Sequence, residues 1–108
     1  MPTDTPSPAP QKPPEAAKPE HLRVGGGTDA HKLASAIAGA VERKHECLIE
    51  YIGAGAGNQA IKAVIIANSI LASQARYITV LPSFVKRGFA DNPQATAVIL
   101  RVHAHDIK

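Results

Sequence analysis

Residues 60–71, AIKAVIIANSIL, place apolar side chains around the full circumference of a helix. Only Lys62, Asn68 and Ser69 interrupt that surface. A helix that is apolar on all sides is buried on more than one of them. A chain of 108 residues makes one small domain at most. A single sheet then covers one side of this helix, and the other side is expected to meet a second copy. A homodimer or higher oligomer is therefore predicted.

The chain divides near residue 20. Seven of its nine prolines fall in MPTDTPSPAPQKPPEAAKPE, which has no Val, Ile, Leu or aromatic residue. Such a segment cannot bury a core and is expected to be a disordered, partly polyproline arm over residues 1–20. Residues 21–108 are then the folded domain. The arm lacks the apolar centre of a secretory signal, and no run is long enough to span a membrane. One cysteine, Cys47, excludes an internal disulfide framework and suits a reducing compartment. A cytoplasmic protein is expected, nucleoid-associated if its ligand is nucleic acid.

The pattern of the domain alternates. Leu22 and Val24 mark a strand over residues 21–24, and Gly25-Gly26-Gly27 break it. Thr28 is placed to cap the following helix, with Asp29 adding charge at its positive end. Ala30, Leu33, Ala34, Ile37, Ala38 and Val41 have the spacing of an amphipathic helix. Residues 47–52 read as a second strand, 60–71 as a second helix, and 77–84 and 96–103 as two β-branched strands. The order β-α-β-α-β-β predicts an α+β two-layer sandwich, with two helices on one face of a four-stranded mixed sheet. Val85 to Ala95 joins the last strands, with Gly88, Asn92 and Pro93 as its turn residues.

Charge is uneven. The arm carries two lysines against three acids, a net of −1; the domain carries ten Lys/Arg against six Asp/Glu, a net of +4. No acid lies between Glu50 and Asp91, a stretch that holds Lys62, Arg76, Lys86 and Arg87. A basic, acid-free stretch of this kind attracts polyanions.

The run IGAGAGNQAIK, residues 52–62, decides whether the chain carries nucleotide chemistry. A Walker loop ends in Gly-Lys-Ser/Thr, and here Gly57 is followed by Asn58-Gln59. A dinucleotide fingerprint needs a third glycine where Asn58 stands, and an acid some twenty residues on. Two readings remain, and they are compatible. The glycines let this segment approach neighbouring backbone closely. The helix start also presents N–H groups to a phosphate, with Asn58 and Gln59 as side-chain donors and Lys62 one turn in. His103-x-His105 puts two imidazoles on one side of a strand, which is too few ligands for a metal site. Ser35 and Cys47 lack activating partners, and no catalytic constellation stands out. No enzymatic activity, metal or cofactor is expected.

Ile52-Gly53-Ala54-Gly55-Ala56 followed by Asn58-Gln59-Ala60-Ile61-Lys62-Ala63-Val64 resembles the core motif of the stage V sporulation protein S family. Ala34-x-x-Ile37-Ala38-Gly39-Ala40 is similar to that family's first helix, and Thr96-Ala97-Val98-Ile99-Leu100 to its last strand. The resemblance covers about residues 21–103. Gly57 departs from it, standing where a larger apolar residue is expected, and so predicts a looser helix start.

The family is small, cytosolic and bacterial, and its fold is similar to that of the Alba chromatin proteins. The resemblance implies a homodimer packed through the second helix and last strands, with Ile61, Val64, Ile65 and Asn68 at the interface. It further implies nucleic-acid binding, DNA or RNA, by analogy with Alba. The matching hairpin arm is Val85 to Ala95, with Lys86, Arg87 and Phe89 as contacts, and Lys62 matches a basic position on the second helix. Two Alba features are missing. Its lysine pair falls on Gly26-Gly27, with Lys32 the nearest substitute, and its arginine before the second helix falls on Ala54 or Ala56.

Two functions follow. The first is a dimeric nucleic-acid-binding protein with little sequence specificity, a regulator in a bacterial developmental pathway. Lys32, Asn58, Gln59, Lys62, Lys86, Arg87 and Phe89 are its candidate contacts. The second is a non-enzymatic adaptor or assembly protein that binds protein partners or itself, with the Pro-rich arm as a docking peptide.

Overall fold

The computed structural model describes residues 19–86 and 95–107. The expected arm therefore lies almost wholly outside the described residues, as do Arg87 and Phe89. Six elements follow in order: β1 (Glu20–Val24), α1 (Ala30–Lys44), β2 (Glu46–Tyr51), α2 (Ala54–Ala72), β3 (Arg76–Lys86) and β4 (Thr96–Asp106). The sheet order is β1-β2-β4-β3. β1 runs parallel to β2, and β4 runs antiparallel to both β2 and β3. Both helices cover one face, giving the expected α+β two-layer sandwich.

The core lies between helices and sheet. Leu33, Ile37 and Val41 of α1 meet Cys47 and Ile49 of β2 and Leu100 and Val102 of β4. From α2 the buried stripe is Ala56, Ala60, Ala63, Ala67 and Leu71. Alanines at these positions let α2 lie close to α1 and the strands. Each fully buried isoleucine or valine here contributes roughly 1.5–3 kcal/mol.

Three local expectations need correction. The cap of α1 is Asp29, not Thr28: its Oδ1 accepts from the N–H groups of His31 (2.8 Å) and Lys32 (3.2 Å). The Thr28 hydroxyl instead accepts from Gly25 N–H at 2.8 Å, closing the turn before the helix. Helix α2 begins at Ala54, not Ala60, so the glycine run is helix rather than loop. Gly53 makes the corner at φ 93, a conformation open to glycine but strained for other residues.

The third correction concerns Gly57, which does not loosen the helix. Its N–H donates to Gly53 O at 3.0 Å, and it is buried. A Cβ there would fall 2.7 Å from Cε1 of Tyr51, so the tyrosine ring occupies the space of the missing side chain. The close neighbour is thus a ring rather than backbone. β3 and β4 also run beyond their expected ends, to Lys86 and Asp106, because ladder hydrogen bonds rather than side-chain pattern set strand ends.

The two sheet faces differ. The helix-free face carries His21 and Arg23 of β1, Glu46, Leu48 and Glu50 of β2, Tyr77, Thr79 and Leu81 of β3, and Ile99, Arg101, His103 and His105 of β4. β3 is an edge strand. Its Ile78 N–H donates to Asn68 Oδ1 of α2 at 3.0 Å, so alternate N–H groups from Ile78 onward point off the sheet. Pro82 falls on that register, where its missing donor costs no ladder bond.

Candidate nucleic-acid interface

The starts of the two helices meet. Gln59, one turn into α2, donates its Nε2 to Thr28 O at 2.6 Å, tying α2 to the loop before α1. Gly55 and Gly26 also approach there. Beside this tie opens a cleft of about 690 Å³. Ala30, Ile65 and Ile66 make it apolar, while Asp29, His31, Gln59 and Lys62 supply its polar groups. The backbone N–H groups of Lys32 and His31 hold the Asp29 carboxyl below its ordinary pKa, so it stays ionised at neutral pH.

The cations divide by type. Among the described residues all four arginines sit beside carboxylates. Arg43 pairs with Glu20 and Arg101 with Glu46. Arg76 lies 3.4 Å from Asp106, and Arg23 lies 3.8 Å from Glu50. Glu50 is 4% exposed and also meets His21 Nε2 at 2.8 Å. Lys32 and Lys62, by contrast, are exposed and have no carboxylate partner at ion-pair distance among the described residues. Lys62 lines the cleft, and Lys32 follows His31 in the first turn of α1. Lys44, in the last turn of α1, likewise has no such partner among the described residues, so the cations left for an external anion on the two helices are lysines, two of them at the helix starts.

The pattern of elements and motifs now has a counterpart among known proteins. Residues 20–105 match the family described as stage V sporulation protein S. The chain belongs to the stage V sporulation protein S family. The match runs from the start of β1 almost to the end of β4, so it takes in the whole sandwich. Membership points to a sporulation-related role.

In this stage V sporulation protein S domain, the residues singled out from sequence are not all brought together. Lys62 and Gln59 reach the cleft, with Lys32 nearby, and Asn58 is exposed on α2. One Gln59 amide donor is already engaged by Thr28. Asn58 and Gln59 also lie inside α2 rather than at its free N–H groups, because the helix starts at Ala54. Lys86 is exposed at the far end of β3, opposite Thr96. Sequence reasoning missed Asp29, His31 and Ile66 as cleft residues. The available signal was the Gly-Gly-Gly-Thr-Asp turn, which brings the α1 start over α2.

The residues expected at a dimer interface also divide. Ile61 is exposed and Ile65 is 62% exposed on the outer surface of α2. Val64 packs against the core, and Asn68 holds β3 through Ile78. A second apolar hollow of about 300 Å³ is lined by Pro82, Ser83, Phe84 and Val98 at the sheet end nearest the start of α2. Phe84 there is 80% exposed.

The remaining candidates are structural. Burial, with the nearby charges of Glu20 and Glu46, pushes the Cys47 thiol up to about 12. His105 stacks on Tyr77 with ring centroids 5.0 Å apart and meets Thr79 Oγ1 at 2.8 Å. His103 Nε2 lies 3.4 Å from Glu46 Oε1. Among the described residues no group of three or more His, Cys, Asp or Glu is placed to hold a metal ion. None of the described helices is long and apolar enough to cross a membrane.

Proposed function

We propose that the protein is a dimeric nucleic-acid-binding protein with little sequence specificity, acting as a regulator in a bacterial developmental pathway. The observation that carries this reading is the division of the cations. The four described arginines lie beside carboxylates, whereas Lys32 and Lys62, where the two helices start, have no such partner among the described residues. A second copy covering Ile61 doubles that set. Lys86, at the end of β3, and Arg87, next to it in the sequence, add contacts to the ligand. About six to eight phosphates are then neutralised per dimer, giving a slope of log K against log salt of about −5 to −7 on duplex. The contacts are to phosphates, so they position the ligand without reading sequence.

The test is titration against labelled DNA at two salt concentrations, with two charge-reversal variants. Lys32→Glu with Lys62→Glu is expected to abolish binding while the circular dichroism spectrum is unchanged. Lys86→Glu with Arg87→Glu tests the hairpin arm in the same way. Binding unchanged in the first variant would remove the helix starts from the interface; unchanged in the second, the arm.

One observation favours the adaptor reading as well. Leu81 and Phe84 are 66% and 80% exposed, and their register puts them on opposite faces of β3. A dimer seam on the helix side buries at most one of them. Leu81, on the helix-free face, is then available to a protein partner or a further copy.

A further inference from the structure

We propose that the cleft between the helix starts seats a single unstacked nucleobase carrying an exocyclic amino group, so that the preferred ligand is single-stranded nucleic acid. This rests on the nucleic-acid reading and narrows it. The cleft is a depression of about 690 Å³ whose lining is largely open to solvent. A phosphate does not suit it, because the ionised carboxylate of Asp29 is part of its lining and repels an anion. A base does suit it. Its faces are apolar and its edge is polar, and aliphatic walls with a few convergent polar groups meet both needs.

The polar groups also select the edge. Both capping bonds of Asp29 end on Oδ1, which leaves Oδ2 as an acceptor. Gln59 is held by its Nε2 bond to Thr28, which leaves its Oε1 as another. Two acceptors, one of them ionised, favour an amino group as donor: N6 of adenine, N4 of cytosine, or N2 of guanine. Thymine and uracil present two carbonyls around one N–H and are repelled by a carboxylate. In a duplex the amino edge is bonded to the opposite strand and the base is stacked, so entry would need the base to be flipped out. Lys62 at the same cleft, with Lys32 close by, is placed for the phosphates on either side of the seated base.

The experiment compares oligo(dA), oligo(dC), oligo(dT) and the dA·dT duplex by fluorescence anisotropy at one low salt concentration. It uses the full chain, Ala30→Phe and Asp29→Asn. Ala30 lines the cleft, and a phenylalanine there fills part of it while leaving both lysines in the sequence. Asparagine keeps the helix cap while removing the ionised acceptor. The parent is expected to bind oligo(dA) and oligo(dC) at least about tenfold tighter than oligo(dT) or duplex, a difference of about 1.4 kcal/mol. Ala30→Phe should remove that advantage and leave duplex affinity in place. Asp29→Asn should narrow the gap between oligo(dA) and oligo(dT). Equal affinity for strand and duplex overturns the inference alone, as does an advantage that survives Ala30→Phe. No binding to any DNA by the parent overturns the nucleic-acid reading and this inference with it.

Discussion

Replacing Gly57 by alanine sets two known effects against each other at one position. In an open helix interior the change gains about 0.8–1.0 kcal/mol of helix propensity. Here the added Cβ falls 2.7 Å from Cε1, 3.0 Å from Cζ and 3.3 Å from Cδ1 of Tyr51. Packed carbons lie about 3.5–4.0 Å apart, so the ring must retreat by about 1 Å. Tyr51 is not free to do so cheaply. It is the last residue of β2, paired with Val24 on one side and Val98 on the other, and its ring packs on the core. Overpacking of this kind costs about 1–3 kcal/mol. The cost exceeds the gain, and the net is a loss centred near 1 kcal/mol.

The assay is thermal unfolding of four proteins at one concentration, since self-association makes Tm depend on concentration. They are the parent, Gly57→Ala, Tyr51→Val, and the double variant. For a domain of this size about 1 kcal/mol moves Tm by roughly 4–8 °C. Gly57→Ala should lower Tm by about that much in the parent and raise it in the Tyr51→Val background, where only propensity remains. The coupling between the two changes should be about 1–3 kcal/mol. An equal rise in Tm in both backgrounds would refute the argument that the ring, rather than backbone freedom, requires glycine here.

Three further outcomes are expected. Ile61→Asp puts a charge on the exposed outer surface of α2 and should convert the proposed dimer to monomer in sedimentation velocity. It should also roughly halve the salt slope of DNA binding; an unchanged sedimentation coefficient would remove α2 from the seam. Cys47, with its thiol pushed up to about 12 by burial, should resist a thiol reagent at about pH 8 until the protein unfolds. Labelling of the native protein as fast as a free cysteine would contradict its burial. The depressed pKa of Asp29 means that its cap contributes stability above the ordinary aspartate range, and loses it as pH falls through the folded-state value. Against Asp29→Asn, which caps without titrating, the parent should therefore lose relative stability as pH drops below about 4. A constant difference across that range would show that the ionised cap adds nothing.

The architecture was legible because each element has its own period. Leu33, Ile37 and Val41 fall on one helical face, and the paired strands alternate. The start of α2 was not legible, for a physical reason. Glycine and alanine at positions 53–57 read locally as loop, and what makes them helix is tertiary. Gly53 supplies a corner at φ 93, and the ring of Tyr51 fills the side of Gly57. The α1 cap misled in a smaller way. Thr28 and Asp29 are both capping residues, and only the turn geometry, with Thr28 bonded back to Gly25, assigns the cap to Asp29.

For the site, the acid-free stretch from Glu50 to Asp91 suggests a basic surface built from Lys62, Arg76, Lys86 and Arg87. Folding undoes part of that grouping. Arg76 starts β3 beside Asp106, which comes from the last strand, so a carboxylate thirty residues away in sequence (106 − 76 = 30) meets it. Arg101 and Arg43 are met in the same way by Glu46 and Glu20. Lys32 lies outside the stretch, yet it shares the helix-start end of the molecule with Lys62 because Gln59 ties α2 to the loop before α1. Charge counted along the chain therefore overstates the arginines and understates the partnership of these two lysines. With so few unpaired cations among the described residues of each copy, strong binding to a polyanion by these residues requires either a second copy to double them or a non-ionic contact to supplement them. The exposed Ile61 serves the first, and the cleft beside Lys62 serves the second.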